Sequence, residues 1–452
     1  MTMQKIEEVK LSKIVYGGQA LGVLEDGKKV FAWGGLPGET VKIGITKSKK
    51  NWAEGIVEEV IDSSKQRVAP EDPESYLSTS PWQILDYAYE NTLKQELIVD
   101  QFSQHNLEIK LDDFSTPEEP YHYRNKVEFS FWWEKSHVIS SLSRDLSDLS
   151  TPSEDSVQDD QGQLNLAFYK RGTHTKQPVV GTSLAHPSIN TAAIKIRDYL
   201  RASNVEARDL KTLLIRCNQR GDVVAELYVK EAKFPLTPSH EEFNVTGFGI
   251  FFSNPKSPAS VKTKKLHTSG KGQLTDSILG KSYTYAVDGF FQVTVPMYET
   301  ALKAMQEFID PKLHLIDMYS GVGSIGLSVA SEKQKLTLIE IDERCVEEAK
   351  NNAKSIKPDA EIVFASSEAA VEHITGNETV ILDPPRVGLH QNVIERLIEV
   401  KPKTIIYLSC NPATQARDVA LLKDTYQIKH AHGFNFFPRT PHIENLVVLT
   451  AK

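Results

Sequence analysis

The sequence predicts a multidomain chain with an N-terminal β-barrel, a central α+β domain and a C-terminal α/β domain of the Rossmann-like type. Its 452 residues are enough for about three domains at roughly 150 residues each. The first sixty or so residues alternate short apolar runs with turn residues, which is typical of small β-domains. The last third alternates apolar strands with helical segments, which favours a buried, mostly parallel sheet.

The predicted barrel occupies residues 1–62. Turn signals such as EDG at residues 25–27 and LPGE at residues 36–39 separate its apolar runs, which indicates a small, strongly bent sheet. Oligonucleotide-binding (OB-like) barrels are built in this way, and a generic small β-domain fits the pattern about equally well. The polar stretch DSSKQRVAPEDPES follows it and is typical of a linker.

The predicted central domain spans residues 63–285, and the C-terminal domain spans residues 286–452. Apolar residues at helical spacing predict a helix over Trp82–Phe102, and alternation predicts a strand over Val127–Trp133. We expect Leu164–Tyr169 to pair with that strand as a hairpin. The long connection near residues 135–162 is rich in Ser and Asp, and we expect it to be disordered and dispensable for chemistry.

The charge distribution leaves room for local phosphate binding. The net charge of −8 argues against a chain coated in positive charge for nucleic acid. The segment 134–160, however, holds seven acidic and two basic residues and so supplies −5 of that total. The segment 256–271 holds five lysines and no acid. Such patches can bind phosphates even on a near-neutral protein.

The three cysteines, Cys217, Cys345 and Cys410, are far apart in the sequence and form no CxxC-like pair. A disulfide framework or a cysteine-based metal site is therefore not expected. The N-terminus is charged, and no run of about 18 apolar residues occurs that could cross a membrane. We expect a cytoplasmic protein without a metal site or membrane contact.

A glycine-rich turn predicts a nucleotide-containing cofactor. The stretch DMYSGVGSIG follows a strand and opens a helix, and it carries Gly321 and Gly323 where the backbone must approach a ligand closely. Glu340 ends the next strand, 19 residues after Gly321, where a carboxylate can accept hydrogen bonds from ribose hydroxyls. These residues fit a dinucleotide or S-adenosylmethionine.

Three further residues follow or precede strands of the same predicted sheet. Asp383 opens the sequence DPPR directly after a strand, and the two prolines fix its backbone. Cys410 follows the strand KTIIYLS, and a cysteine at that edge beside a cofactor favours a nucleophile over a structural role. Glu444 precedes the last strand and is a candidate base in this company.

Taken in order, these motifs resemble the RNA uracil-C5 methyltransferase family, whose members use S-adenosylmethionine to make 5-methyluridine in 23S ribosomal RNA or transfer RNA. The resemblance covers nearly the whole chain. It implies that the barrel is a TRAM domain that binds RNA, and that the last domain is a class I methyltransferase. YRNK at residues 123–126 and FYKRG at residues 168–172 resemble the family's central RNA-binding domain, and FFQV at residues 290–293 resembles the segment leading into the catalytic domain.

The resemblance also assigns roles to single residues. The positions that match family residues binding S-adenosylmethionine are Gln292, Tyr319, Glu340 and Asp383, with Gly321 and Gly323 shaping the loop. Cys410 matches the nucleophile and Glu444 the base. The chemistry agrees with these residue types, because uracil C5 attacks a methyl sulfonium only after a thiolate adds at C6.

The sequence departs from the family at its iron–sulfur cluster. Many members bind a cluster through four cysteines, whereas this chain has serines at the corresponding stretches 78–83 and 181–184. Three cysteines in all cannot supply the usual four ligands. We therefore expect a member without an iron–sulfur cluster.

The expected partner is RNA, without a membrane or an obligate protein partner. The barrel favours 23S ribosomal RNA, because transfer-RNA members commonly lack one; transfer RNA is the alternative. Other classes fit less well. A nicotinamide oxidoreductase leaves DPPR, the sequence SCNP and the barrel without roles. Adenine or guanine amino-methyltransferases usually carry an aromatic residue where this chain has Arg386. RNA cytosine-C5 enzymes generally carry a second cysteine in the proline motif, and this chain has none near Asp383. A non-catalytic RNA-binding homologue is the remaining class.

Overall fold

The N-terminal segment folds into a closed five-stranded barrel. The structure is a computed structural model that describes residues 6–134 and 162–452. The barrel strands are β1 (Ile6–Ile14), β2 (Ala20–Val23), β3 (Lys29–Trp33), β4 (Thr40–Ser48) and β5 (Trp52–Asp62). They close in the order β1-β2-β3-β5-β4. Alternate residues of β1, among them Val9 and Leu11, point into the barrel and are buried.

The segment after the barrel is fastened to it, although the sequence predicted a linker. Glu39 is fully buried at the end of the barrel, and Arg67 pairs with it at 2.6 Å. Arg67 Nη2 also donates to the carbonyl oxygen of Gly34 at 2.8 Å. Burial alone would raise the pKa of Glu39, but the Arg67 hydrogen bonds and the backbone N–H groups lower it. The prolines and polar residues of this segment did not reveal that one arginine would neutralise a buried acid.

The next elements are α1 (Tyr76–Thr79), α2 (Tyr87–Ser103) and β6 (Asp113–Ser115). The predicted helix over Trp82–Phe102 starts later than expected, because the Asp86 side chain caps α2 by accepting from Tyr89 N at 3.0 Å. Both α2 and β6 pack on the C-terminal sheet and not on the central one. The division at residues 62 and 285 stays a prediction, and this stretch crosses it in space.

The central domain is a seven-stranded sheet with one long helix. Its elements are β7 (Lys126–Glu134), β8 (Gln163–Tyr169), β9 (Lys176–Val179), α3 (Pro187–Ala202), β10 (Leu210–Cys217), β11 (Val223–Val229), β12 (Gly247–Phe252) and β13 (Lys264–Gly270). The strand order is β13-β12-β11-β10-β7-β8-β9. The expected hairpin is confirmed, since β7 and β8 pair antiparallel with Ser130 opposite Ala167. Apart from residue 162, the acidic connection lies outside the described residues.

A short hairpin leads into the C-terminal domain. The elements are β14 (Gln273–Ile278), β15 (Lys281–Ala286), α4 (Val295–Gln306), β16 (His314–Asp317), α5 (Ser324–Val329), β17 (Leu336–Glu340), α6 (Glu343–Ile356), β18 (Glu361–Phe364), β19 (Glu378–Leu382), α7 (Gln391–Val400), β20 (Thr404–Ser409), α8 (Pro412–Leu422), β21 (Tyr426–Phe434) and β22 (Glu444–Ala451). The large sheet has the order β18-β17-β16-β19-β20-β22-β21-β6.

This sheet confirms the predicted Rossmann-like class. Strands β18, β17, β16, β19 and β20 are parallel, and β22 runs antiparallel to β20 and β21. Helices pack against the sheet and bury almost every residue of strands such as β19. Within the described ranges, none of the helices is long and apolar enough to cross a membrane.

Candidate active site

Strand topology brings the predicted catalytic residues to one edge of the large sheet. Strands β16, β19 and β20 are neighbours and parallel, so Asp383 and Cys410 follow their strands at the same carboxyl edge. Strand β22 is antiparallel to β20, with Asn445 opposite Ser409. Its first residue, Glu444, therefore lies beside Cys410. The sheet order thus brings together the predicted nucleophile and the predicted base, which are 34 positions apart in the sequence.

The glycine-rich loop leaves its backbone open on one side. Gly321 and Gly323 adopt positive φ values of 54° and 83°. A side chain at Gly323 would lie 2.8 Å from Leu327 Cδ1, whereas one at Gly321 would meet only Phe290 Cδ1, at 4.0 Å. The Gly321 N–H donates to Glu340 Oε2 at 2.8 Å, so the glutamate is held beside the loop.

Glu340 is fixed by more than this one bond. Its second carboxylate oxygen accepts from Ile341 N at 2.8 Å and from Asp342 N at 2.7 Å. The side chain stays partly exposed at the strand end. Three of the about four acceptor sites of the carboxylate are thus occupied, which leaves one for a ribose hydroxyl.

Asp317, which the sequence analysis included in the motif without a role, organises the same loop. It is fully buried and accepts from Gly326 N at 2.9 Å. Its pKa is raised to about 7, mainly by burial and in part by the nearby Glu340. The signal that could have identified it is its place at the last residue of β16, directly before the glycine-rich turn.

The segment carrying Gln292 is fastened from the central domain. Asn125 Nδ2 donates to the Gln292 carbonyl at 2.9 Å. The buried Arg216 donates to the Gly289 carbonyl at 2.9 Å and to the Phe291 carbonyl at 2.6 Å. The exposed Phe290 of this segment borders the open side of Gly321. Two residues of the central domain, Asn125 and Arg216, therefore fix the backbone of the segment that carries Gln292.

Tyr319 lines a cavity of about 550 Å³ next to the loop. Other lining residues come from the loops after β18 and β19 and from α7 and α8: Ser367, Glu368, Leu389, His390, Ile394 and Arg417. Tyr319 is the one predicted cofactor residue among its lining residues. Gly321 and Gly323 form the loop beside it, and Glu340 is bonded to that loop.

The electrostatics of Cys410, Glu444 and Asp383 are coupled. The pKa of Cys410 is raised to about 11. Burial is the largest cause, the nearby Glu444 and Asp383 contribute to the rise, and Arg386 opposes it. The buried Glu444 has a pKa well above its usual range, because of burial and then of Asp383. Burial, and then Asp317, raises the pKa of Asp383 to about 7. Each acid thus disfavours ionisation of the next.

Arg386 and His442, to which the sequence analysis assigned no functional role, form a contact near Cys410 and Glu444. Arg386 Nη2 lies 3.2 Å from His442 Nδ1. Burial, and then Arg386, lowers the pKa of His442 to about 4. A neutral imidazole accepts at Nδ1 from the guanidinium and carries its proton on Nε2. Arg386 is the cation that lowers the pKa values of both Cys410 and Glu444.

A buried ion pair on α2 holds the loop that leads to Glu444. Glu90 and Lys94 are both fully buried and lie 3.0 Å apart. Lys94 Nζ donates to Asn435 Oδ1 at 2.6 Å, and Glu90 accepts from the Arg439 N–H at 3.0 Å. Arg439 adopts a positive φ of 64° in this loop. The pair therefore fixes the backbone that leads to His442 and Glu444.

Comparisons with known proteins match this arrangement. Residues 372–452, which include Asp383, Cys410 and Glu444, match the family model described as tRNA (uracil-5-)-methyltransferase. Residues 300–406 match a methyltransferase small domain, and residues 4–57 match a TRAM domain. A relative from Lactobacillus johnsonii, described as an uncharacterized RNA methyltransferase, is 28% identical and covers 99% of both chains. A second, from Enterococcus faecalis, is 29% identical and covers 98% of this chain and 96% of its own.

The chain resembles the RNA (uracil-5-)-methyltransferase family, as these matches confirm. It is an S-adenosylmethionine-dependent RNA methyltransferase with an N-terminal TRAM domain, as the sequence predicted. The crystal structure of the Pyrococcus abyssi tRNA (uracil-54, C5)-methyltransferase with S-adenosyl-L-homocysteine shares this fold. It is 21% identical, with a TM-score of 0.76, and the match covers 99% of this chain and all of that one.

Where other family members bind an iron–sulfur cluster, this RNA methyltransferase has a hydrogen-bonded network around Asp72. Asp72 Oδ2 accepts from Ser183 Oγ at 2.9 Å and from Thr182 Oγ1 at 3.0 Å. Gln83 Nε2 donates to Asp72 Oδ2 at 3.1 Å and to Ser80 Oγ at 2.7 Å. These contacts join the two stretches that the cluster ligands would join. The absence of a cluster stays a prediction.

Proposed function

We propose that the protein transfers a methyl group from S-adenosylmethionine to C5 of a uridine in RNA, through a covalent bond between Cys410 and C6 of the base. The observation that carries this proposal is the position of Cys410 beside Glu444, with Asp383 and Arg386 close enough to shift the pKa of both. A nucleophile and a base at one sheet edge, next to a glycine loop, match the requirements of C5 methylation. The reduced thiol that this chemistry needs is in keeping with a cytoplasmic location.

The residues around the glycine loop fit S-adenosylmethionine. The open space beside Gly321 admits a ligand against the backbone, and Glu340 is held beside it with one acceptor site left. Gln292, Asp383 and Tyr319 would hold the same ligand, and Tyr319 lines the cavity next to the loop. The cofactor supplies an electrophilic methyl group on a sulfonium.

Cys410 acts first in the proposed reaction. Its pKa of about 11 means that the resting thiol is protonated. The thiol must therefore lose its proton to solvent as the target uracil binds. Arg386 favours the thiolate. The sulfur then adds to C6 of uracil, and the electron pair of the C5–C6 double bond moves into an enolate across C5, C4 and O4.

Glu444 acts second. C5 attacks the methyl carbon, the bond from that carbon to the sulfonium sulfur breaks, and S-adenosylhomocysteine leaves as a neutral thioether. C5 then carries one proton too many, and the ring has lost its C5–C6 double bond. The Glu444 carboxylate removes that proton, the C5–C6 double bond re-forms, and the S–C6 bond breaks to release Cys410. The raised pKa of Glu444 makes its ionised form a stronger base than an exposed glutamate.

The surroundings of the site suit a polyanion. Arg386, Arg124 and Arg171 all lower the pKa of His442 through their charge, so three arginines from separate segments face this region. The Arg171 guanidinium stacks 4.0 Å from the ring of Trp33 in the barrel. Such a cationic rim would bind RNA phosphates while the target uridine leaves the stack and enters the site.

Two classes of RNA are candidates for the acceptor. The sequence analysis favoured 23S ribosomal RNA because of the barrel. The Pyrococcus abyssi transfer-RNA enzyme, however, shares this fold over 99% of the chain. A barrel at the N-terminus is therefore compatible with either class, and transfer RNA stands as the second candidate.

The test is methylation of defined transcripts. The purified protein is incubated with S-adenosylmethionine and unmodified transcripts of large-subunit ribosomal RNA and of transfer RNA, and 5-methyluridine is quantified by mass spectrometry after digestion. We expect product on one class, and none from Cys410→Ala. Cys345→Ala, a second partly buried cysteine, is the matched control and should keep full activity. Failure of both RNAs, or activity in Cys410→Ala, would contradict the proposal.

A further inference from the structure

The barrel reaches into the catalytic centre through the turn between β1 and β2. In this turn, Tyr16 donates a hydrogen bond from its hydroxyl to Oδ1 of Asn411, at 2.6 Å. Asn411 directly follows Cys410. This is a contact between the N-terminal barrel and the chain segment that carries the nucleophile.

The same turn is seated tightly against the loop that carries His442 and Glu444. Trp82 Nε1 donates to the carbonyl oxygen of Gly18 at 3.0 Å. A side chain at Gly18 would lie 2.4 Å from Pro441 Cβ, and Gly18 also adopts a positive φ of 99°. Only glycine fits between these neighbours. The turn therefore contacts both loops that bring catalytic groups to the sheet edge.

Asn411 links this turn to the rest of the site. Its Nδ2 donates to the Arg386 carbonyl at 2.7 Å, and its Oδ1 also accepts from Ala413 N at 3.2 Å, which caps α8. One amide thus joins the barrel, the DPPR loop and the first turn of α8. The orientation of the peptide that follows Cys410 depends on all three contacts.

The pKa of Tyr16 is raised to about 12. Burial is the largest cause, the nearby Cys410 contributes to the rise, and Arg386 opposes it. The hydroxyl consequently stays protonated and keeps donating over the whole pH range in which an RNA methyltransferase can be assayed.

We infer that Tyr16 is a positioning residue for methyl transfer, and that the barrel completes the catalytic centre by holding Asn411 and, through it, Cys410. This goes beyond RNA binding by the barrel and rests on the proposed function. It means that seating of the barrel on the catalytic domain is required for the reactive position of the thiol.

The test compares Tyr16→Phe with Tyr426→Phe, a matched control that removes a hydroxyl donating to the Leu397 carbonyl at 2.9 Å, at the end of β21 far from Glu444. Single-turnover formation of 5-methyluridine is measured at saturating transcript, and RNA affinity is measured separately. We expect Tyr16→Phe to slow methyl transfer about 10- to 100-fold, as small misplacements of reacting groups do. The affinity for the transcript should change less than about twofold, since phosphate contacts supply most of it. Tyr426→Phe should match the wild type in both.

A second measurement needs no RNA. The rate of alkylation of Cys410 by iodoacetamide is followed by peptide mass spectrometry, with thermal unfolding as a check that the variant folds. A loosened loop exposes the thiol, so we expect Tyr16→Phe to be alkylated about threefold faster while methyl transfer is slower, in line with control of thiol reactivity by access. In an Asn411→Ala background, Tyr16→Phe should have no further effect on either rate.

The outcomes separate this inference from the proposed function. Wild-type methyl transfer in Tyr16→Phe, together with an inactive Cys410→Ala, would overturn the inference alone. A loss confined to RNA affinity would also overturn it, because Tyr16 would then be an RNA contact. Activity in Cys410→Ala would instead overturn the proposed function. If neither transcript is methylated, unchanged alkylation of Cys410 in Tyr16→Phe overturns the inference, and faster alkylation supports it.

Discussion

Arg386 Nη2 lies 3.2 Å from Nδ1 of His442, which joins the arginine of the DPPR sequence to the histidine two residues before Glu444. The guanidinium lowers the pKa values of His442, Glu444 and Cys410 at once. At Cys410, the Arg386 cation favours the thiolate, whereas the two carboxylates of Glu444 and Asp383 oppose ionisation of the thiol. Arg386 therefore sets how much of the thiolate is available.

Replacing Arg386 should move the pH dependence of methyl transfer. Loss of the cation destabilises the Cys410 thiolate, so the pKa of the thiol rises and less thiolate is present at neutral pH. The limb of the rate profile that rises with pH then shifts to higher pH. In Arg386→Gln we expect at least about a tenfold lower rate at pH 7.5, which corresponds to one pKa unit.

The measurement is kcat/KM between pH 6 and 10, with the unmodified transcript that the protein methylates as substrate. Arg220→Gln, at an exposed arginine of the central domain, is the control and should leave the profile unchanged. A profile in Arg386→Gln that is lowered uniformly, without a shift, would mean that Arg386 binds RNA and does not tune the thiol.

Glu444→Gln should separate bond formation from release. Glutamine fills the same space but cannot accept the C5 proton, so the methylated adduct on Cys410 forms and is not resolved. We expect turnover to fall by at least about 100-fold, the usual contribution of a general base. A protein–RNA species that survives denaturing electrophoresis should accumulate. Turnover close to the wild type would show that another group removes the proton.

The buried pair on α2 predicts a stability effect. Lys94→Met removes the cation 3.0 Å from the fully buried Glu90 and leaves it the more distant Arg439, at 3.7 Å, so we expect a loss of about 3–5 kcal/mol in the free energy of unfolding. The double variant Glu90→Gln with Lys94→Met removes both charges and should recover part of that loss. Urea unfolding measures both. A double variant that is less stable than Lys94→Met would contradict this account of the pair.

The Asp72 network predicts a similar, local effect. Asp72→Ala removes the acceptor shared by Ser183, Thr182 and Gln83, and we expect a loss of about 2–3 kcal/mol in unfolding free energy, since hydrogen bonds to a charged group are among the stronger ones. The surface ion pair of Asp359 with Lys357 offers the control, because Asp359→Ala removes a carboxylate that is mostly exposed. Equal stability of Asp72→Ala and Asp359→Ala would show that the network does not join the two stretches.

The sequence alone was sufficient for the arrangement at the sheet edge. Asp383 and Cys410 each follow an apolar strand, and parallel strands place such residues at one edge whatever the details of packing. Glu444 needed the resemblance, because nothing in its neighbourhood distinguishes it from a surface acid before the last strand is paired.

The contacts between distant segments could not be predicted in this way. Tyr16 and Asn411 are 395 positions apart, and Lys94 and Asn435 are 341 apart. Such pairs depend on how finished elements dock, and neither periodicity nor turn chemistry carries that information. The same holds for α2 and β6, whose local patterns predict a helix and a strand but not the sheet that they join.

The central claim is that Cys410 forms a covalent bond with C6 of the target uridine. It is tested most directly with a transcript containing 5-fluorouridine, incubated with the protein and S-adenosylmethionine. Fluorine at C5 cannot leave as a proton does, so the methylated adduct cannot be resolved. Peptide mass spectrometry should find Cys410 bonded to a methylated fluorouridine, and Cys410→Ala should form no adduct. Methylation of ordinary transcripts without any adduct on the fluorinated ones, or an adduct at another residue, would contradict the claim.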